Sequence, residues 1–274
     1  MLPNIYMLPN IVKRPLQAAY RKVVQFNLAL RKHEYQYVFI LAHMRSGSTL
    51  LSHILANHPE FAGAGETHIS YRSSTDLPQL VLITCQRLRT LQLDARYVVD
   101  QINHGAYLTD EILLSPLVHK CVILIRSPEK ALQSMISLYG WKESIALDSY
   151  VNRLSELANY GSILKERAFL IEYDDLVEQT EPTLQALTDF FDVEPPFRPE
   201  YRPHLATVRF GDPSSNITTG RVVRTPPHPI NISAEALEQA SEAYQKCRAE
   251  LLRSRVRSRC DSNTNPSVES PMMV

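Results

Sequence analysis

Seven consecutive residues, His43-Met44-Arg45-Ser46-Gly47-Ser48-Thr49, combine a guanidinium, a glycine and three hydroxyls, a set suited to an oxyanion. A β-rich apolar run, Tyr37 to Ala42, enters the segment, and an apolar helical run, Leu50 to Ala56, leaves it. The order is therefore strand, polar loop, helix. A helix N-terminus offers unpaired backbone N–H groups and partial positive charge, so a permissive Gly47 and the hydroxyls of Ser46, Ser48 and Thr49 can wrap a phosphate. Arg45 adds full charge and fork geometry. The same residues would also serve as an ordinary capped helix start, and the loop alone leaves both readings open. A Walker A loop needs GxxxxGK[ST]; this loop lacks the first glycine and the lysine, which disfavours an ATP or GTP hydrolase.

A second segment, Cys121 to Leu138, repeats the logic: an apolar strand delivers Arg126 at its C-terminal edge, Pro128 takes a first helical position, and Ser134 follows two turns later. It reads as a second anion clamp. Together the two segments resemble the signature loops of the PAPS-dependent sulfotransferases, closest in style to bacterial and tyrosylprotein sulfotransferases, and the likeness runs from Tyr37 to Phe191. The donor in that family, 3′-phosphoadenosine 5′-phosphosulfate (PAPS), carries a phosphosulfate at one end and a phosphate at the other. The resemblance implies that Arg45, Ser46, Gly47, Ser48 and Thr49 bind the 5′-phosphosulfate, and that Arg126 and Ser134 bind the 3′-phosphate. Ile171-Glu172-Tyr173-Asp174-Asp175-Leu176 looks like a further family segment, which makes Tyr173 a nucleotide contact or, equally, a tyrosine closing a strand.

The implied reaction moves the sulfuryl group of PAPS to an acceptor hydroxyl by in-line displacement, with a base on the acceptor and positive charge on the departing phosphate. Gly65-Glu66 resembles the place where relatives keep a catalytic glutamate, so Glu66 is the expected base, with His68 in reserve, and Arg45 the main stabiliser of the leaving group. No metal is implied, because a sulfuryl group carries less negative charge than a phosphoryl group. Relatives usually have Asp-Lys where this chain has Asp100-Gln101; His104 would take part of the lysine's role, or be an ordinary loop histidine. Asp100 itself reads as a strand end that orients a loop, not as a magnesium ligand. Relatives also place a late basic loop over the nucleotide; Gly211-Asp212-Pro213, Arg221 and Arg224 fall in that region. Tyr139 and Trp141 would shape an acceptor pocket or simply pack. Two rivals stand beside this reading. One is a P-loop nucleotide kinase, the other a catalytically inactive PAPS-binding or PAP-binding protein, for which Gln101 is the support. The acceptor stays open among carbohydrate, lipid, small alcohol and peptide tyrosine.

These loops need a scaffold. The runs Tyr37 to Ala42, Tyr97 to Val99, Cys121 to Ile125 and Phe169 to Glu172 are near-continuously apolar, as strands buried on both faces are, and helical stretches separate them. The expected fold is a three-layer α/β domain, a P-loop-like parallel sheet flanked by helices on both faces. Periodicity predicts helices over Asp148 to Lys165, Glu181 to Phe191 and Ser233 to Arg257. The chain divides into a leading amphipathic helix within 1–33, one domain over 34–259, and a Ser-, Asn- and Pro-containing tail over 260–274 expected to be disordered. The leading helix, Pro15 to Lys32, is basic; it would suit a membrane surface, but packing on its own domain is the expectation. With 29 basic and 29 acidic residues, nothing argues for nucleic acid. Cys85, Cys121, Cys247 and Cys260 lack metal or disulfide spacing, and no apolar stretch reaches the roughly 18 residues that span a bilayer. A cytoplasmic protein is expected.

Overall fold

The computed structural model describes residues 10–203, 215–224 and 230–261. Five strands, β1 (Gln36–Ala42), β2 (Phe61–Gly63), β3 (Tyr97–Ile102), β4 (Val118–Ile125) and β5 (Ala168–Glu172), form one sheet in the order β2-β3-β1-β4-β5. Every neighbouring pair is parallel. Alternation splits each strand between two layers. In β1, Val38, Ile40 and Ala42 join one apolar cluster, while Tyr37, Phe39 and Leu41 join the other. Burial on both faces explains why these strands are uninterrupted hydrophobic runs; each fully buried Leu or Ile contributes roughly 1.5–3 kcal/mol.

The helix after β1, α2 (Ser48–Ala56), packs Leu50, Leu51, Ile54 and Leu55 into the first cluster, with α7 (Tyr173–Glu178) and α8 (Thr180–Phe191). The second cluster holds α1 (Asn10–Ala29), α3 (Leu77–Leu88), α4 (Asp110–Leu114), α5 (Pro128–Tyr139), α6 (Glu143–Leu164) and α10 (Ala234–Asp261). A one-turn helix, α9 (Ser215–Thr218), lies between. Helices thus cover both faces, as the sequence predicts. Because α2 and α5 leave the adjacent strands β1 and β4 toward opposite faces, a crevice opens at the C-terminal ends of those two strands. Both oxyanion-type loops end there.

Several boundaries differ. Helix α1 starts at Asn10, stops at Ala29 and contains Pro15, while α6 starts five residues before Asp148, once Gly140, at φ 65, has ended α5. Strand β3 continues through Asp100 and Gln101, whose polarity conceals a strand in the sequence. The short β2 and helices α3 and α4 are additional elements. The backbone of α10 runs to Asp261, two residues into the stretch assigned as tail; 262–274 and Gly211-Asp212-Pro213 lie outside the described residues. Cys85, Cys121 and Cys247 are buried free thiols, and the side chain of Cys260 lies outside the description. No helix among the described residues is long and apolar enough to cross a membrane.

Candidate active site

The loop after β1 turns through two left-handed residues, Arg45 at φ 62 and Gly47 at φ 95. Gly47 precedes α2, and a Cβ there would lie 2.5 Å from Cδ2 of Tyr173. Glycine is required on both counts, conformation and space. The side chain of Arg45 crosses to α5, where its Nε donates to Ser134 Oγ at 2.9 Å. Arg126, at the end of β4, donates from Nη1 to the Arg45 carbonyl at 2.9 Å and stacks its guanidinium 4.3 Å over the Tyr173 ring. The two clamps read from the sequence are therefore one cluster: Arg45, Ser134, Arg126 and Tyr173 converge, and Ser46, Gly47, Ser48 and Thr49 follow Arg45 directly in the chain.

His43 anchors this cluster from below. Its Nδ1–H donates to the Met44 carbonyl at 2.8 Å, and its Nε2 accepts the Arg126 N–H at 2.9 Å, a pattern that fixes the neutral tautomer. Burial lowers its pKa to about 4 and its two cationic neighbours, Arg126 and Arg153, push the same way. Tyr150 meets the ring edge-on and donates its hydroxyl to the Arg126 carbonyl at 2.7 Å. Two hydroxyls in these loops, Ser46 Oγ and Ser127 Oγ, are buried without a hydrogen-bond partner among the described residues. A buried hydroxyl left so is costly unless a ligand satisfies it, which fits a phosphate-bearing group here.

The Glu66 loop stands beside the first loop. Glu66 Oε2 accepts from Asn103 Nδ2 at 2.9 Å, and Ser48 Oγ donates to Asn103 Oδ1 at 3.1 Å, so one amide bridges the carboxylate to the start of α2. Among the described residues Glu66 Oε1 is buried without a hydrogen-bond partner, with His68 Nδ1 3.6 Å away at ion-pair distance. Arg87 grips the loop backbone, donating to the carbonyls of Ala64 at 2.9 Å and Glu66 at 2.7 Å. Asp100 secures its far side: the carboxylate accepts from Thr67 N–H at 3.0 Å, Thr67 hydroxyl at 2.5 Å, Tyr71 hydroxyl at 2.7 Å and Gln101 N–H at 2.8 Å. Burial pushes its pKa up to about 6, and the four hydrogen bonds oppose the rise. Asp100 orients a loop, as its sequence context suggests.

Other expected residues lie elsewhere. His104 is exposed, and its ring meets Tyr107 edge-on at 6.0 Å, at the rim and apart from the Arg45 cluster; His68 lies 5.8 Å from the same ring but keeps its Nδ1 3.6 Å from Glu66 Oε1, at ion-pair distance from the expected base. Gln101 is buried, its Nε2 without a hydrogen-bond partner among the described residues. Arg224 is exposed and pairs with Glu178; Arg221 is exposed too. Trp141 packs against the second cluster, with Tyr139 at 5.2 Å. Two contributors escaped sequence reading. Asn103 follows Gln101 by two residues, and a neutral amide just past a strand carries no sequence signal of its own. Arg153, only 5% exposed, donates to the carbonyls of Ala42 at 2.9 Å and Ile102 at 2.7 Å and pairs with Glu156 at 2.7 Å. Its signal was a cation on the apolar stripe between Tyr150 and Leu157. Among the described residues no group of three or more His, Cys, Asp or Glu could hold a metal ion.

Residues 37–81, from β1 through the Glu66 loop into α3, match the model of the sulfotransferase family. In fold, the chain is similar to the sulfotransferase domain of the Synechococcus PCC 7002 olefin synthase, with 18% identity and a TM-score of 0.52 over 77% of this chain and 96% of that one. The sulfotransferase domain from the curacin biosynthetic pathway follows, at 22% identity and TM-score 0.49 over 78% and 99% of the two chains. A sulfotransferase from Alicyclobacillus acidocaldarius matches at 12% identity and TM-score 0.46, over 81% and 97%. No curated protein matches the chain. The fold is thus that of an α/β sulfotransferase domain. The resemblance to the sulfotransferase family is borne out by the family match over residues 37–81, which contain the first loop, and by the fold.

Proposed function

We propose that the chain is a PAPS-dependent sulfotransferase acting on an acceptor hydroxyl. The observation that carries the reading is the convergence of two distant anion clamps, joined by the Arg45–Ser134 and Arg126–Arg45 hydrogen bonds. One ligand with anionic groups at two ends suits such a site better than a single phosphate does. When bound, PAPS supplies a sulfuryl group on a phosphate leaving group. Arg45, Ser46, Gly47, Ser48 and Thr49 would hold its 5′ end, with Arg126 and Ser134 on the 3′-phosphate and Tyr173 beside the nucleotide. Glu66 Oε1, which accepts no hydrogen bond among the described residues and has His68 Nδ1 3.6 Å away, would take the acceptor's proton, while Asn103 holds Oε2 and so fixes the direction in which the base points. Arg45 and the N-terminus of α2 would stabilise charge growing on the departing phosphate without reorganising. His104, at the rim with Tyr107, would meet the acceptor and not the phosphosulfate. Three buried free thiols suit a reducing, cytoplasmic setting.

Calorimetry with and without magnesium tests the reading, comparing 3′-phosphoadenosine 5′-phosphate (PAP), ATP and 5′-AMP on the native chain, Arg45→Ala and Arg126→Ala. Binding that requires the 3′-phosphate and fades in both variants is expected. Preference for ATP with magnesium would overturn it in favour of a kinase.

A further inference from the structure

The strand end that presents Tyr173 is held from behind by α10. Ala240, Tyr244, Cys247 and Leu251 recur at helical spacing and are buried, so this stripe seats the helix on the domain. Gly161 of α6 makes room for it: a Cβ there would lie 2.3 Å from Leu251 Cδ2. Tyr244 belongs to the stripe and Arg248 follows it by four residues, so the two side chains leave α10 as neighbours. Both reach one carboxylate. Tyr244 donates its hydroxyl to Glu172 Oε2 at 2.5 Å, and Arg248 Nε donates to Glu172 Oε1 at 2.7 Å.

Glu172 is the last residue of β5, and its partner in the sheet is Ile125, the last of β4. The residues that follow this pair are Tyr173 and Arg126, whose guanidinium lies over the Tyr173 ring. The same ring occupies the space that Gly47 leaves open. On the other side of Tyr173, Asp174 Oδ1 accepts from Lys130 Nζ of α5 at 2.7 Å. The backbone on either side of Tyr173 is thus tied to a different helix. The side chains of Arg248 and Lys130 are 42 and 40% exposed, and ion pairs that open to water contribute little to folding. Donors on both oxygens of Glu172 fix its direction as well as its position, which a residue beside a binding site needs.

We propose that Tyr244 and Arg248 are positioning residues for the donor nucleotide: by holding both oxygens of Glu172 they fix the end of β5, and with it the angle of the Tyr173 ring against Arg126 and Gly47. They touch no ligand themselves and act through Tyr173. This inference rests on the reading of the Arg45 cluster as a PAPS site.

Calorimetry of the full chain with PAP tests it. Arg248→Met and Tyr244→Phe should each weaken binding about five- to tenfold, the size of one lost hydrogen bond, with little change in melting temperature. Arg248→Lys should restore most of the affinity, and Lys246→Met, which removes an exposed cation from the same helix, should leave it unchanged. The decisive arm is a double-mutant cycle: in a Tyr173→Ala background Arg248→Met should cost no more than about twofold further, because the residue through which it acts is gone. Native affinity in the Tyr244→Phe/Arg248→Met double variant would overturn the proposal and leave the donor site standing. An undiminished loss in the Tyr173→Ala background would overturn it too, since α10 would then act on binding by another route. No PAP binding by the native chain would overturn the donor reading and this proposal with it.

Discussion

The loop after β1 and the loop carrying Glu66 are both secured from beneath by a buried titratable side chain, but by opposite means. His43 is neutral and links two backbone atoms, the Met44 carbonyl and the Arg126 N–H, so the first loop and the end of β4 are one piece. Asp100 gathers four donors onto one carboxylate, three of them from Thr67 and Tyr71, so the far side of the second loop depends on one side chain while Arg87 holds the backbone of its near side. The geometry of the first loop is thus spread over two strands, and that of the loop with the proposed base leans on one carboxylate. A distributed anchor resists single substitutions; a concentrated one does not.

That contrast can be broken most forcefully at the first loop's charges. Arg126→Ala and Arg45→Ala should each weaken PAP binding about a hundredfold, since each removes a charged, hydrogen-bonded partner from a partly buried site. Calorimetry reads this directly, and affinity within a few-fold of native would sink the donor-site assignment. Next, Glu66→Gln should lower turnover by about 10²–10⁴ with PAP affinity unchanged, the pattern of a lost base and not of a lost binding group. Equal loss of binding and turnover would instead make Glu66 structural.

Asp100→Asn sharpens the comparison. An amide offers one acceptor oxygen and turns its NH2 toward donors, so unfolding should become easier by about 1–3 kcal/mol. Turnover should fall with PAP binding preserved, because only the Glu66 loop loosens. The same variant has a pH signature. Asp100, raised to about 6 from an ordinary value near 3.8, binds its proton more tightly when folded. It therefore contributes stability at low pH that is lost as pH climbs through about 6. His43, lowered to about 4 from 6.5, does the reverse: its contribution is present above its unfolded value and lost as pH falls toward 4. The two slopes oppose between about pH 4 and 6, so melting temperature should rise with pH more steeply in Asp100→Asn than in the native chain. Parallel profiles would show that Asp100 does not titrate in this window. The smallest effect is expected at Asn103→Ala, about tenfold in kcat with KM for the donor unchanged, since Glu66 stays in place but loses its orienting bond.

The layout of the first loop is legible in the sequence because every part of it is local: β1, residues 43–47 and α2 are contiguous, and strand-loop-helix order follows from apolar periodicity. Arg126 and Ser134 were legible for the same reason. Elements without a periodic signature were not: β2 has three residues, and Asp100 and Gln101 disguise the last part of β3. Asn103 and Arg153 act through partners distant in sequence, Ser48 and Glu66 in one case, Ala42 and Ile102 in the other. Their residue types announce no chemistry until the sheet brings β1 and β3 side by side. His104 went the other way. Its type suggested catalysis, and the turn at Gly105–Tyr107 carries it to the rim.

Arg153 also makes α6 a mechanical part of the site. One guanidinium ties the middle of that helix to the last carbonyl of β1 and of β3, the two strands that lead into the Arg45 loop and the Asn103 turn. A push on α6 is therefore shared between the two loops, and neither can be displaced by the helix without the other. Whatever presses on the outer surface of α6 is felt as a common translation of the Arg45 loop and the Asn103 turn, with their mutual spacing kept.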